Sequence, residues 1–222
     1  VPASVLRRVQ ATPGVGVAAG EVLDEAKIID TTKNKPDGQG PWFGVGYDAG
    51  RPGAAALGPF RLTAGRWAAG PGQVVVDRGT AKRRHLVVGG RVRIAAGGPQ
   101  RDYTVSGIAR FGTVDSLGGA TFAVFTVPVA QKLLKKEGQV DAIFVSPKRG
   151  FSELQLASQI QPLVPSTAQV RTGDAQAKSD SSDTNSGIKI IQSILLAFGL
   201  IALLVGGFVI FNTLSMNLAQ RV

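Results

Sequence analysis

The chain has 222 residues, with 25 Lys and Arg against 15 Asp and Glu, a formal net charge of +10, one His and no Cys. Its length fits one compact domain, or one domain with a small appendage. Without cysteine there is no disulfide scaffold, thiol nucleophile, iron–sulfur cluster or cysteine-ligated zinc, and a single histidine excludes a histidine-rich metal centre.

Residues 3–11 place Val5, Leu6 and Val9 on one side of a short helix, with Arg7, Arg8 and Gln10 opposite. Pro13-Gly14 stops it, and Val15 and Val17 open a strand. Asn34–Pro59 is rich in Gly and Pro and reads as a long loop carrying Trp42, Phe43 and Tyr47. These aromatics either tuck onto a sheet or form an exposed contact for a partner or lipid. Gln73–Val76 reads as a short strand, Gly79–His85 as a basic helical turn, and Val92 and Ile94 alternate with Arg91 and Arg93. Gly97-Gly98-Pro99 joins that strand to Tyr103–Ile108 as a hairpin. Arg91, Arg93, Arg101 and Arg110 are expected on the sheet surface. Thr121–Val127 is apolar on both faces, as a strand covered on both sides would be. Pro128 then starts a helix that ends at Gly138.

A helix–proline–strand unit returns late in the chain. Asp141–Val145 reads as a strand, and Ser152-Glu153-Leu154-Gln155 is a capping-box pattern. Leu156, Ile160 and Leu163 follow at helical spacing, Pro162 and Pro165 end the helix, and Gln169–Thr172 reads as a last strand. Two such units side by side would make a split βαβ sheet with helices on one face, with a small β-rich lobe at about 60–115 inserted between the halves. The expected class is α+β over residues 1–172.

The end of the chain differs in texture. Gly173–Gly187 is polar and reads as a linker or stalk; its Asp180, Asp183 and Asn185 lack the spacing and terminal Glu of a calcium loop. Ile190–Phe211 contains only Gln192 and Ser193 as polar members, and at 1.5 Å per residue spans about 33 Å, against a hydrocarbon core of about 30 Å. A transmembrane helix is therefore expected over 188–218, with 219–222 opening a cytoplasmic segment that Arg221 favours. Gly199, Gly206 and Gly207 supply small surfaces for close helix packing, and Asn212 a hydrogen-bonding group, which suits a multi-helix membrane unit. A span ending flush with the chain suggests a piece of a longer polypeptide.

Catalytic and cofactor motifs are mostly not found in the sequence, and no acidic pair stands out. The nearest approach to a P-loop, at Lys178-Ser179, has Ala177 and Thr172 where glycine is required. Gly14-Val15-Gly16 and Gly44-Val45-Gly46 begin loose dinucleotide-type matches without the strand–turn–helix context. His85 reads as a helix-end residue rather than a general base. No catalytic, cofactor or metal residue is assigned, and the scattered basic residues do not indicate nucleic acid.

Leu195–Val222, with its Val-Gly-Gly step running to an Asn and a Gln-Arg exit, resembles the second transmembrane segment of FtsX-like permeases, the group that includes MacB-type transporters. Leu6–Val15 is similar to that family's opening helix and Pro-Gly-Val turn. Gly65-Arg66-Trp67 and Val74–Asp77 resemble its lead into the middle lobe, and Val88–Val92 with Tyr103–Ile108 resembles the strand pair that follows. The resemblance implies an extracytoplasmic domain over residues 1–187 of a multi-pass protein in the cell membrane, working as a dimer. It implies a separate ATP-binding subunit whose work is passed mechanically to this domain to move a substrate. Two other readings stand beside it: a regulator of a cell-wall hydrolase that uses Trp42 and Phe43 as its contact, and a single-span anchored interaction domain.

Overall fold

The computed structural model describes residues 1–38, 40–178 and 195–196. The expected transmembrane helix, with Gly199, Gly206, Gly207 and Asn212, lies outside them apart from Leu195 and Leu196. Among the described residues no helix is long and apolar enough to cross a membrane. Two compact units are present, Val1–Val170 and Arg171–Val222. In the second, residues 173–178 are helical, and the Thr172 hydroxyl accepts from the Ala175 N–H at 3.3 Å.

The first unit begins with α1 (Ala3–Gln10), whose Val5 and Val9 are buried as their spacing requires. It leads into an 11-residue strand β1 (Val15–Glu25), followed after Ala26 by β2 (Lys27–Asp30) and β3 (Lys35–Pro36). Next come β4 (Trp42–Tyr47), the single turn α2 (Ala54–Leu57), β5 (Phe60–Gly65) and β6 (Gln73–Asp77). Then follow α3 (Arg78–Arg83), β7 (Arg91–Ala95), β8 (Arg101–Phe111), β9 (Thr121–Phe125), α4 (Val127–Leu133), β10 (Ala142–Pro147) and α5 (Glu153–Ile160).

All ten strands belong to one sheet, in the order β10-β1-β4-β9-β6-β8-β7-β2-β3, with β5 paired to β8. Thr104 faces Gln73 of β6 and Arg91 of β7, whereas Gly107 faces Val75 of β6 and Gly65 of β5. So β7 and β5 follow each other along one side of β8, with β6 on the other. Because β1 and β2 are separated by Ala26 alone, the path that leaves through β4 returns through β7 to the same chain segment. The sheet therefore closes on itself, and a closed sheet needs no protection for the edges it has eliminated.

Residues 60–111 contribute β5 to β8 to this same sheet. β6 joins β9, and the early strand β2 pairs with β7. Parallel strands are joined through a helix in β9–α4–β10 and, by the single turn α2, in β4–α2–β5, where two matched halves with one helix each were expected. Residues 169–172 form no strand; Val170 instead packs by its side chain beside Val145 and Leu163 in the helix-side core.

Asn34–Pro59 is not a loop. It holds β3, the central strand β4 and α2. Its glycines misdirect the reading because they serve packing: a Cβ on Gly44 would come within 2.6 Å of the Ala26 Cβ, and one on Gly46 would collide with Ala130 of α4. Inside the closed path, Val22, Ile28, Val74, Val76, Ile94, Tyr103, Val105 and Phe125 form the main core. On the outer face of β4, β6 and β9 a second core gathers Val45, Tyr47, Val75, Phe122 and Val124 under α2 and β5.

Candidate functional site

The geometry concentrates at the junction where α1 and α5 meet the sheet. Val5 and Val9 of α1 and Leu156 and Ile160 of α5 are buried together with Val15 and Ala18 of β1. Both helices are short and gain their stability from this shared apolar seam rather than from intrinsic propensity. α5 starts at the expected capping box: Gln155 N–H donates to the Ser152 hydroxyl, and the Gln155 side chain accepts from the Ser152 N–H. Arg8 ties α1 to the end of α5 by donating to the Leu163 carbonyl at 2.7 Å.

The start of the chain is clamped to the α4–β10 turn. Val140 N–H donates to the Val1 carbonyl, and Ala3 N–H to the Gly138 carbonyl, both at 2.8 Å. The turn is in turn knotted to β1 through Lys136, whose Nζ lies 3.1 Å from Asp24 and 3.0 Å from Asp141 and donates to the Leu23 carbonyl at 2.7 Å. Burial opposes the charge on Lys136, but its bonds to Asp141 and Asp24 prevail and hold its pKa above the ordinary lysine value. Asp141 also accepts from the Leu23 N–H at 2.8 Å. Beside this knot, Glu21 is half-buried on β1. Burial, reinforced by the charge of Asp141, pushes its pKa up to about 7.

Two further carboxylates organise the far side. Asp77, 2% exposed, caps α3 through the Thr80 N–H at 2.8 Å and accepts from the Phe122 N–H at 2.9 Å. Burial raises its pKa against the pull of those bonds. Asp30 takes Arg84 in a bidentate pair at 2.7 and 2.8 Å, joining the β2–β3 hairpin to the end of α3.

The residues expected to make a partner contact are separated by burial. Tyr47 is 2% exposed, and its hydroxyl donates to the Ala54 carbonyl, so it is a core residue and no exposed contact. Phe43 is half-buried and stacks on Phe122 with centroids 5.1 Å apart. Trp42, also half-buried, donates through Nε1 to the Asp37 carbonyl at 2.5 Å and lies under the Lys27 ammonium. His85 is exposed and occupies the residue after the α3 cap with φ 52°. Gly14–Gly16 and Gly44–Gly46 sit at the start of β1 and inside β4, neither opening a helix. Among the described residues no group of three His, Cys, Asp or Glu converges as metal ligands.

The sequence carried a signal for Asp77, an acid directly before a helical turn with Thr three places on, the N-cap pattern. Arg84 carried none, since its partner Asp30 lies more than 50 positions away; for Lys136, Asp141 is near in sequence but Asp24 is brought to it only by the fold.

The profile of the MacB-like periplasmic core domain matches residues 2–163. An uncharacterized ABC transporter permease protein of Mycobacterium tuberculosis, Rv0987, is 28% identical over 152 residues, 68% of this chain and 17% of that protein. The chain therefore spans about a sixth of this relative. The extracellular domain of YknZ, a noncanonic ABC-type transporter from Gram-positive bacteria, superposes with a TM-score of 0.57 at 10% identity, covering 78% of this chain and 89% of that one. The periplasmic region of MacB from Actinobacillus actinomycetemcomitans superposes with a TM-score of 0.53 at 12% identity, covering 73% and 74%. At such identities the superpositions speak for a shared fold.

Proposed function

The chain belongs to the MacB-like periplasmic core domain family, and from that premise we propose that it is the extracytoplasmic, non-catalytic part of a permease subunit in an ABC-type transport complex. A separate ATPase subunit hydrolyses ATP. The permease, paired with a second copy in the cell membrane, converts that work into movement of this domain for substrate export or release. The match over residues 2–163 carries the reading, and the junction geometry supports it. Displacement applied at Val1 reaches the sheet through the Gly138 and Val140 clamp and the Lys136 knot, and through the seam that α1 shares with α5. Both routes are short, hydrogen-bonded or close-packed, and so stiff.

In this proposal residues 188–218 form one of several membrane helices, packed through Gly199, Gly206, Gly207 and Asn212, and 173–187 form the stalk. Val87→Cys introduces a label site at an exposed position, in a protein whose cysteines outside this chain, where present, are replaced by serine. The distance between the two spin labels of a dimer, measured in the native complex with and without trapped ATP, reads the movement. The expected result is a nucleotide-dependent change in distance that disappears when several glycines are inserted between Ser181 and Ser182, while ATP hydrolysis persists. An identical distance in both nucleotide states, or a change untouched by the insertion, contradicts the proposal.

A further inference from the structure

Arg110 stands on β8 opposite a like charge. Its Nε is buried and has no hydrogen-bond partner among the described residues. Directly across the β5–β8 ladder stands Arg61, and like charges facing each other in a sheet are destabilising. Arg61 offers no relief, because its own guanidinium is spent on the Gly58 and Phe60 carbonyls at 2.5 and 2.9 Å.

The carboxylate whose field Arg110 shares is Asp115, and it is already taken. Lys82 Nζ lies 2.6 Å from one of its oxygens, and Arg78 Nη1 3.5 Å from the other. The hydrogen bond from Lys82, with the charges of Arg78, Lys82 and Arg110, holds the Asp115 carboxyl below its ordinary range. Two cations therefore contact one carboxylate, and Arg110 adds its charge from further off. Asp115 is fixed in place by its backbone, whose carbonyl accepts from the Gly79 N–H at 2.8 Å. It sits in a loop, residues 112–119, that also holds the Thr113 hydroxyl and three positive-φ glycines, Gly112, Gly118 and Gly119, while the Ser116 hydroxyl donates to the Ala120 carbonyl at 3.2 Å.

We propose that Arg78, Lys82 and Arg110 form a binding site for a phosphate-class oxyanion, carried on an anionic lipid headgroup or free in solution. A phosphate presents several oxygens and one to two negative charges, enough to meet the two cations that Asp115 leaves over, and a guanidinium matches that geometry in bidentate fashion. Asp115 is the internal competitor. It holds Arg78 and Lys82 together when no oxyanion is bound, and its carboxylate opposes the incoming charge.

The test follows the Arg110 Nε–H resonance in the full 222-residue chain. In non-ionic detergent the chain is titrated with inorganic phosphate at constant ionic strength. In a parallel arm it is placed in nanodiscs of phosphatidylcholine with or without phosphatidylglycerol. The expected result is a saturable shift of that resonance with at least one probe. Followed on the Gly79 and Asp115 amides, the affinity falls about tenfold in Lys82→Gln and in Arg110→Gln, the loss of one charged hydrogen bond. It rises several-fold in Asp115→Asn, a gain that a purely structural ion pair does not produce. Response to phosphatidylglycerol alone assigns the headgroup, and response to phosphate assigns the free anion. No saturable shift with either probe, or equal affinity in all variants, overturns the site.

Discussion

Gly46 and Ala130 meet where there is room for one methyl group, since a Cβ on Gly46 would overlap the Cβ of Ala130. The contact fixes how closely α4 lies on β4, and with it the crossover that carries the chain from β9 to β10. Gly46→Ala is expected to destabilise the domain by about 1–3 kcal/mol through overpacking. Ala130→Gly in the same chain should recover part of that loss, less about 1 kcal/mol for glycine inside a helix. Urea denaturation of the two single variants and the double variant measures the coupling; strict additivity would show that the two residues do not share this space.

Two helix ends use a left-handed residue that is not glycine. After α3, His85 has φ 52°, with Leu86 N–H bonded to the Ala81 carbonyl and His85 N–H to that of Lys82. After α4, Lys135 has φ 58°, with Lys136 N–H bonded to the Gln131 carbonyl. These are Schellman-type endings, in which glycine avoids the Cβ penalty. His85→Gly and Lys135→Gly are each expected to add about 0.5–1 kcal/mol. A lowered denaturation midpoint in both variants would contradict that account of the endings.

Glu21 makes stability depend on pH. Its folded-state pKa, about 7, lies above the ordinary 4.5, so the folded state holds a proton that the unfolded chain releases. Its contribution is therefore most favourable below about pH 4.5 and is lost as pH rises through 7, by up to about 3 kcal/mol. Glu21→Gln should equal the parent near pH 4.5 and exceed it in stability at pH 8. Parallel stability–pH curves for the two proteins would rule this out.

The Lys136 knot should govern the stiffness of the N-terminal clamp. Lys136→Met leaves Asp24 and Asp141 facing each other and is expected to cost about 1 kcal/mol. Hydrogen exchange at the Leu23 and Ala3 amides should quicken, while that at Phe122, held by Asp77, should not. Equal exchange at all three sites would show that the knot carries no local stability.

Local features were legible in the sequence. The apolar face of α1, the Ser152–Gln155 capping box and the doubly buried strand β9 each rest on residues within a few positions of one another. Closure of the sheet was not, because the β2–β7 pairing of Ile28 with Ile94 joins segments more than 60 residues apart, and a pattern of alternating residues says nothing of its partner. β4 was hidden by its own chemistry: glycines that read as loop are the residues that admit Ala26 and Ala130. Gln169–Thr172 failed in the opposite sense, having strand-like composition without a pairing strand. The junction of α1 and α5 with the sheet was half visible, since its apolar seam is periodic whereas Asp24 reaches Lys136 only through the fold.

The central claim is that this domain works within an ABC-type assembly driven by another subunit. Its most direct test is purification of the intact gene product from detergent-solubilised native membranes, scored for a co-purifying ATPase. The account predicts a stoichiometric ATP-hydrolysing partner together with a second copy of the permease. Recovery of a single-span protein without ATPase activity would contradict it.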